Sequence, residues 1–370
     1  MPTLLTAYFY FPSSSAFIAL SNRDEYFRRP TSRAKFWQPP HDNILGPYDL
    51  ARPEHGTWIG ISKQGRLAIL LNFHELNSQQ HKGAISRGLF PKEFLQSDLS
   101  TQDWIAATHE RYGDEGLKSS GGFTMLCGVL RQAKNNKDRI EPFGLLSNRG
   151  APALKLFDSN LVEREESLVV SNGTTVTTTN DDDTLVAPAA DSTPSFKNYD
   201  ILSDTIGVSN SQITDPWPKV YLGVQALDRI VHQAPVSEAC LIEQLKDILV
   251  HDTFPLDVAR KEVETDGIFY HVRKSIFIPP INVSLPDNVD SAEDGTYYGT
   301  RTNTIILVSK TGHVKYIERT LHEHDTPIEN YPPQESVFEF DIEGFNNDDD
   351  DDDNSATQWY ISLYTCILHM

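Results

Sequence analysis

The chain has 370 residues, of which 39% are hydrophobic and 10% aromatic, and its formal net charge is −20 at pH 7. This length and apolar content allow a large buried core in a folded, soluble protein. The negative charge argues against a nucleic-acid partner, because neutralising phosphates requires a basic surface, and it also disfavours attraction to an anionic membrane leaflet.

The cysteines and histidines give no metal or disulfide pattern. Cys127, Cys240 and Cys366 show no C-x-x-C spacing, which predicts neither a disulfide scaffold nor a zinc site and suits a reducing compartment. Cys127 lies in an apolar run and is predicted to be a core thiol. His322 and His324 are the closest histidine pair, and they sit in an acidic loop. We therefore predict no metal.

No targeting or membrane segment is predicted. The N-terminus lacks a basic region before its apolar residues, and no apolar run is long enough to cross a bilayer. The sequence thus predicts a cytoplasmic protein without an integral membrane segment.

The N-terminal part of the chain is predicted to form two hairpins. Short apolar runs bounded by turn residues favour four strands, at residues 4–11, 17–20, 57–62 and 66–72. Gly65 is expected in the second turn, and Trp58 is expected in the core of a sheet. Residues 26–55 are predicted to be irregular, with Phe36 and Trp37 as aromatic anchors.

A polar cluster follows the second predicted strand. The apolar run ends at Ser21, and Asn22, Arg23, Asp24 and Glu25 come next. Because successive strand residues point to opposite faces, Asn22 and Asp24 cannot share a face with Arg23 and Glu25 in a regular strand. Two interpretations stay open: side chains that reach into a pocket at the edge of the sheet, or an ion-paired turn that fixes the strand.

Helices are predicted in the middle of the chain and strands on either side of them. Apolar residues recur at helical spacing after residue 86, after the cap candidates Ser100 and Thr101, after Pro216 and over residues 238–251. His109 is included in the second of these periodic patterns. Further strands are predicted at residues 123–130, 140–146, 167–170, 304–308, 314–318 and 336–342. Strand hairpins at both ends with helices between them predict an α+β fold, with helices packed outside two sheets.

Asparagine recurs where predicted strands end. The residues concerned are Asn22, Asn72, Asn148, Asn172 and, shortly after a strand, Asn210. Asparagine is common at such turns because it tolerates the left-handed region and bonds its own backbone. The recurrence also suggests a shared edge that faces one cavity, where an amide could donate to an oxyanion.

Two segments are expected to lie outside the packed core. The stretch near residues 174–197 is rich in Thr, Asp, Ala and Pro and is predicted to be a disordered insertion. Residues 344–370 contain an uninterrupted acidic run and are predicted to form a disordered tail. Residues 1–343 are then expected to form one domain.

A longer series of motifs resembles the NRDE family, which includes transport and Golgi organisation protein 2. The family takes its name from the motif Asn-Arg-Asp-Glu, which stands at residues 22–25 of this chain. The matching stretches follow in order: Arg29-Pro30, Trp37, Ile44-Leu45-Gly46-Pro47, Gly56-Thr57-Trp58-Ile59-Gly60-Ile61, Gly65-Arg66-Leu67-Ala68, Ser86-Arg87-Gly88, Gly122-Phe123, Ser147-Asn148-Arg149-Gly150, Asp215-Pro216-Trp217-Pro218-Lys219, Tyr298-Gly299-Thr300-Arg301-Thr302 and Gly312-His313-Val314. The resemblance implies a four-layer αββα sandwich similar to that of the N-terminal nucleophile hydrolases.

The resemblance also implies functional alternatives. In such hydrolases residue 2 supplies the nucleophile and its own α-amino group the base, but this chain has Pro2, which has no nucleophilic side chain. The catalytic residues are therefore unassigned. A misassigned start would explain this departure. The first hypothesis is a non-catalytic intracellular protein of secretion and Golgi organisation, the second an N-terminal nucleophile amidohydrolase, and the third an interaction protein whose acidic tail recruits basic partners.

The resemblance finally implies a small-molecule pocket. Its candidate residues are Asn22, Arg23, Asp24, Glu25, Asn72, Asn148, Asn172, Asn210 and Arg301. Arg23 and Arg301 are expected to lie together as the two cations of the pocket. The family suggests haem or an acyl lipid as the ligand, and no other cofactor is expected. Proteins of the secretory pathway are the expected partners. The resemblance also suggests that the protein associates with the Golgi or with mitochondria.

Overall fold

The computed structural model of the protein describes residues 3–9, 16–73, 85–133, 136–149, 155–156, 205–213, 215–233, 237–255, 270–282, 296–327 and 332–345. The predicted strand at 167–170, the predicted insertion near 174–197 and Asn172 lie outside these residues.

The described strands in chain order are β1 (Thr3–Phe9), β2 (Ala16–Tyr26), β3 (Lys35–Phe36), β4 (Ile44–Gly46), β5 (Ile59–Ser62), β6 (Arg66–Asn72), β7 (Phe123–Val129), β8 (Gln132–Ala133), β9 (Asn136–Ile140), β10 (Phe143–Ser147), β11 (Lys155–Leu156), β12 (Thr205–Val208), β13 (Ile281–Asn282), β14 (Tyr297–Val308), β15 (His313–Thr320) and β16 (Gln334–Asp341). The helices are α1 (Leu89–Leu95), α2 (Thr101–Lys118), α3 (Pro218–His232) and α4 (Glu238–Leu249).

Two large sheets organise these strands. The first sheet has the order β12-β1-β2-β14-β15-β16, with β13 paired to β14. The second sheet has the order β11-β10-β7-β6-β5-β4-β3, and β8 and β9 form a separate pair. Every pairing among the described strands is antiparallel. Strand β2 is central in its sheet and lies between β1 and β14.

Three apolar cores separate four layers. The largest core lies between the sheets and joins residues of β2, β14 and β15 to residues of β5, β6 and β7. A second core joins the outer face of the first sheet to α3 and α4. A third joins the outer face of the second sheet to α1 and α2. The order is therefore helix, sheet, sheet, helix, which confirms the predicted αββα fold class.

The helices begin and bury their faces largely as predicted. Ser100 caps α2 by accepting a hydrogen bond from the backbone amide of Asp103 at 3.1 Å. The predicted inward face of α2 is wrong at one place, because His109 is exposed and Thr108 is buried instead. Helix α3 begins at Pro218, two residues after Pro216, and Pro218 takes the first-turn position, where a missing amide proton costs nothing.

The predicted end of the second strand at residue 20 is wrong. Strand β2 continues to Tyr26, because β14 pairs with it along its whole second half. Strand β14 itself begins at Tyr297, earlier than predicted, since the Tyr298 to Thr302 motif is strand as well. The segment predicted to be irregular at residues 26–55 contains the short strands β3 and β4. Partner strands supply the hydrogen bonds here, so polar residues continue the strand.

A close approach of two glycines precedes β5. A Cβ on Gly56 would lie 2.6 Å from the carbonyl carbon of Gly88, and the amide of the next residue, Thr57, donates to the Gly88 carbonyl at 2.9 Å. We expect Gly56→Ala to lower the free energy of unfolding by about 2 kcal/mol, because two backbones must separate. Urea denaturation measures this. Gly116→Ala on α2 is the control, and an equal loss in both variants would contradict the packing argument.

Candidate functional site

The residues of the NRDE motif are divided between the two faces of β2. Odd-numbered residues earlier in the strand join the core between the sheets, and even-numbered ones join the core under α3 and α4. Continuing this alternation, Arg23 and Glu25 lie on the inter-sheet face, and Asn22 and Asp24 lie on the helical face. The prediction that the two pairs point to opposite faces is confirmed by their contacts.

Arg23 is a buried cation between the sheets. Its guanidinium carbon lies 4.3 Å from the ring centroid of Trp58, and its Nη2 lies 3.5 Å from Oε2 of Glu25. Its Nη1 is buried and has no hydrogen-bond partner among the described residues. Burial lowers the pKa of Arg23 below its ordinary value. An unpartnered buried donor is costly, so this nitrogen is a candidate donor to a bound anion.

Glu25 connects Arg23 to a second arginine. The Oε2 atom of Glu25 lies 3.5 Å from Nε of Arg29, and Arg29 also donates from Nε and Nη2 to Oδ2 of Asp49, at 3.1 and 2.8 Å. Two arginines and two carboxylates therefore form one chain of charges. Since Glu25 is shared between Arg23 and Arg29, it does not neutralise Arg23 alone.

Arg301 lies at a β-bulge beside this network. The pairing of β14 with β2 shifts register between Thr300 and Thr302, so Arg301 is the extra residue. Its Nη1 donates to the backbone carbonyl of Arg29 at 2.6 Å, and its Nε donates to that of His322 at 3.4 Å. Burial and the nearby charge of Arg23 lower the pKa of Arg301 to about 10. The expectation that the two arginines lie together agrees with this geometry.

A third carboxyl group belongs to this site. Glu318 is 3% exposed, and its Oε1 accepts a hydrogen bond from the amide of Ala34 at 2.8 Å. Burial raises its pKa to about 7, against the opposing effects of that hydrogen bond and of the charges on Arg23 and Arg33. We call Arg23, Glu25, Trp58, Arg301 and Glu318 the Arg23 site.

On the helical face, Asp24 holds a buried lysine. Asp24 Oδ2 lies 3.7 Å from Nζ of Lys219, and both side chains are fully buried. Oδ1 of Asp24 accepts from the hydroxyl of Thr300 at 2.6 Å. Burial lowers the pKa of Lys219, while Asp24 opposes that shift. Because Lys219 is in the first turn of α3, this ion pair attaches the helix to β2.

Asn22 plays a similar part for the neighbouring helix. Its Nδ2 donates to the carbonyls of Leu249, at the end of α4, and Ile276, at 2.8 and 3.0 Å. Its Oδ1 accepts from Nδ2 of Asn303 at 2.7 Å. The amide is thus occupied by backbone and by β14, which favours a supporting role.

The other predicted asparagines meet elsewhere. The amide of Asn210 donates to the backbone carbonyl of Asn72, and its Oδ1 is buried without a partner among the described residues. Asn148 accepts from the amide of Phe123 at 2.8 Å and donates to the carbonyls of Leu117 and Gly121. These contacts link the ends of strands to one another and to the C-terminal end of α2. None of them involves Asn22.

The sequence prediction did not include Lys219, Trp58 or Glu318 as site residues. Lys219 and Trp58 stand in the matched motifs, yet nothing in a single sequence pairs them with Asp24 and Arg23. A signal for Glu318 does exist, because Val314, Tyr316 and Glu318 alternate along β15 and the first two belong to the inter-sheet core. A carboxylate continuing an apolar face indicates a buried, perturbed group.

The described residues also bear on metal binding and on membrane insertion. In the described part of the chain, no group of three or more His, Cys, Asp or Glu side chains is arranged to hold a metal ion. None of the described helices combines the length and apolar character of a bilayer span. Cys127 is fully buried and burial raises its pKa to about 12, as expected for a core thiol.

Comparisons with known proteins agree with the motifs. A Saccharomyces cerevisiae protein of uncharacterised function is 29% identical over 88% of this chain and 95% of its own length. The mouse Transport and Golgi organization 2 homolog is 29% identical over 84% of this chain and 88% of its own. Among solved structures, the Caenorhabditis elegans ortholog of N-acylethanolamine-hydrolyzing acid amidase is similar with a TM-score of 0.40 and 10% identity, over 82% of this chain and 92% of that one.

A family model also matches most of the chain. The model described as Transport and Golgi organisation 2 matches residues 4–323, which include every residue of the Arg23 site and the Asp24–Lys219 ion pair. The chain therefore belongs to the Transport and Golgi organisation 2 family.

Proposed function

We propose that the protein acts in protein secretion and Golgi organisation by binding a small molecule at the Arg23 site. The family name and those of the mammalian relatives support the cellular role. In this proposal the ligand has a carboxylate and an apolar body, as an acyl lipid or haem has. The protein would work from the cytoplasm, in association with Golgi or mitochondrial membranes and with proteins of the secretory pathway.

The observation that carries the proposal is the unpartnered Nη1 of Arg23. A guanidinium that is buried, stacked on an indole ring and only partly paired keeps a directional donor for a carboxylate. Arg301 adds positive charge, but its Nε and Nη1 atoms already donate hydrogen bonds to backbone carbonyls. Arg23 is therefore the anchor and Arg301 the electrostatic support.

The described members of the site suit one part of haem. Arg23 fits a propionate group, whereas the Arg23 site as described supplies the iron with no histidine or cysteine. His322 lies close by, but its ring stacks on Phe27 with centroids 4.3 Å apart. The proposal accordingly concerns recognition of a carboxylate, which an acyl chain or haem could supply.

Binding measurements test the proposal directly. We expect the protein to bind dodecanoate and haemin, and Arg23→Gln to lose at least tenfold in affinity for each, since about 1.5–3 kcal/mol is typical of a hydrogen bond to a charged group. Isothermal titration calorimetry measures the affinity. Arg111→Gln, at an arginine 68% exposed on α2, is the matched control and should bind normally. Equal affinities of the Arg23 variant and the parent protein would contradict the assignment.

A cellular experiment tests the role. In cells lacking the protein we expect slower secretion of a reporter and a dispersed Golgi, restored by the parent chain and by Arg111→Gln. Arg23→Gln, expressed at the same level, should not restore them. Rescue by Arg23→Gln would separate the cellular role from the site.

An N-terminal nucleophile amidohydrolase is the second candidate. The register of β1 with β2 pairs Thr3 with Asn22, so the start of β1 runs beside the motif, where such an enzyme needs its nucleophile. Mass spectrometry of the protein from its own cells tests this. A mature N-terminal cysteine, with hydrolysis of acyl amides, would support the enzyme, and Pro2 or Thr3 at that end without hydrolysis would contradict it.

A further inference from the structure

Strand β16 has an open edge. It ends the first sheet, and among the described strands only β15 pairs with it. It is 8 residues long, whereas the described strands at the other ends of the two large sheets, β12, β3 and β11, have 4, 2 and 2. Its register with β15 runs without a shift, and it contains no proline or lysine. The short length, bulges and residue types that commonly protect an edge strand are thus missing from β16.

The hydrogen bonds at the end of β16 show which of its backbone groups face outward. The amide of Ile342 donates to the carbonyl of Gly312 at 2.9 Å, on the side of β15. Because residues of an antiparallel strand alternate in the side to which they bond, even-numbered residues of β16 face β15 and odd-numbered ones face away. The amide of Glu343 agrees, since it donates at 2.8 Å to the carbonyl of Lys63, in the second sheet's β5–β6 turn. The outward amides and carbonyls are therefore those of Glu335, Val337 and Glu339.

The even-numbered side chains of β16 form an apolar strip at this side of the sandwich. Phe338 and Phe340 are half-buried and pack against the core between the sheets. Their ring centroids lie 6.2 and 5.8 Å from that of Phe36, on the edge strand β3 of the second sheet. Apolar side chains of an added strand would lie beside these rings and lose contact with water.

The odd-numbered side chains of β16 make the opposite face of the edge acidic. Glu335, Glu339 and Asp341 are between 36% and 79% exposed. The cations that pair with them come from α4 and β15, on the side away from the edge, and are only 16–22% exposed. A strand added at the edge would therefore meet the carboxylates first, which favours basic side chains on this face.

A second copy of this chain fits the edge poorly. If two β16 strands pair antiparallel about Val337, Glu335 of each copy lies opposite Glu339 of the other, and like charges directly opposite are destabilising. Moving the register by two residues places Glu335 opposite Asp341 instead. The net charge of −20 adds repulsion between copies. A basic partner avoids both effects.

We propose that the edge of β16 binds an extended segment of another protein, which pairs antiparallel with it and alternates basic with apolar residues. The basic side chains lie beside Glu335 and Glu339, and the apolar ones lie beside Phe338 and Phe340. Since directly opposed residues share a face, the basic residues also direct their amides toward β16, and the apolar residues direct theirs to solvent. This surface is separate from the Arg23 site, so the inference goes beyond the proposed function.

N-methylated peptides test the pairing on the parent protein. The probe is a labelled, acetylated peptide that alternates five lysines with four valines, and fluorescence anisotropy at physiological salt measures its affinity. N-methylation of three lysines should weaken binding at least about tenfold, because each lost hydrogen bond contributes about 0.5–1.5 kcal/mol. N-methylation of three valines should leave the affinity unchanged. A peptide with its five lysines before its four valines controls for charge and should bind at least about tenfold more weakly than the alternating one.

A protein variant tests the same edge. Val337→Pro removes an outward amide, at a position where an edge strand tolerates proline, and should weaken the alternating peptide at least about tenfold. Val337→Thr keeps the amide and should bind normally, as should Arg23→Gln. Equal affinities of the two N-methylated peptides, equal affinities of the alternating and block peptides, or no binding would overturn the inference. Self-association of the parent protein that Val337→Pro abolishes would also overturn it and assign the edge to a second copy.

Discussion

Replacing Lys219 with methionine is expected to lower the free energy of unfolding by about 3–5 kcal/mol, because it removes the buried ammonium group that pairs with the carboxylate of Asp24. Both side chains are fully buried and lie 3.7 Å apart. Methionine keeps the length and apolar stem of lysine, so the loss reports on charge rather than on volume. Denaturant unfolding near neutral pH measures the effect.

The double variant Asp24→Asn, Lys219→Met distinguishes a paired charge from a packing defect. Removing both charges should recover much of the lost stability, since a buried ion pair contributes little by itself. Lys246→Met is the control: this lysine pairs with Glu243 and Glu335 at the protein surface, where ion pairs contribute about 0–1 kcal/mol. A double variant as unstable as Lys219→Met would argue against the ion pair as the cause.

Glu318→Gln is expected to change how stability depends on pH. Burial raises the pKa of Glu318 from 4.5 to about 7, so between these values the folded protein holds a proton that the unfolded chain has released. The contribution of Glu318 to the free energy of unfolding is therefore complete below about pH 4.5, declines as the pH rises and is lost above about pH 7. The whole decline amounts to about 3 kcal/mol. The variant should lack that decline.

Unfolding free energies measured from pH 5 to pH 8 check the expectation. Relative to the parent protein, Glu318→Gln should gain stability as the pH rises, because glutamine never ionises and still accepts a hydrogen bond from Ala34. Glu343→Gln, at an exposed glutamate, should follow the parent curve. Parallel curves for Glu318→Gln and the parent would mean that Glu318 is ionised in the folded protein throughout this range.

Much of the architecture follows from local patterns. The faces of α3 and α4 could be predicted because apolar residues recur at a spacing that only one side of a helix satisfies; Leu227 and Leu245 are fully buried. The end of β2 could not be predicted. Polar residues such as Asn22 and Asp24 normally indicate a turn, and here they stay in the strand because α3, α4 and β14 satisfy them.

The site could be predicted only in part for a related reason. Arg23 and Arg301 lie in recognisable motifs, and their approach across β2 and β14 agrees with the expectation. The partners Trp58 and Lys219 come from distant segments of the chain. The residue pattern of one strand or helix does not indicate which distant side chain will contact that element. Glu318 was predictable from alternation along β15, although its interaction with Arg23 was not.

The four residues of the NRDE motif have two different roles because they alternate between the two faces of β2. Asn22 and Asp24 attach the helical layer, whereas Arg23 and Glu25 serve the space between the sheets. Inherited or engineered changes at adjacent letters should therefore produce different defects. Loss at the even positions should reduce the amount of intact protein in the cell, and loss at position 23 should leave abundant protein that no longer recognises its ligand. Immunoblot abundance would separate the two classes before any functional assay.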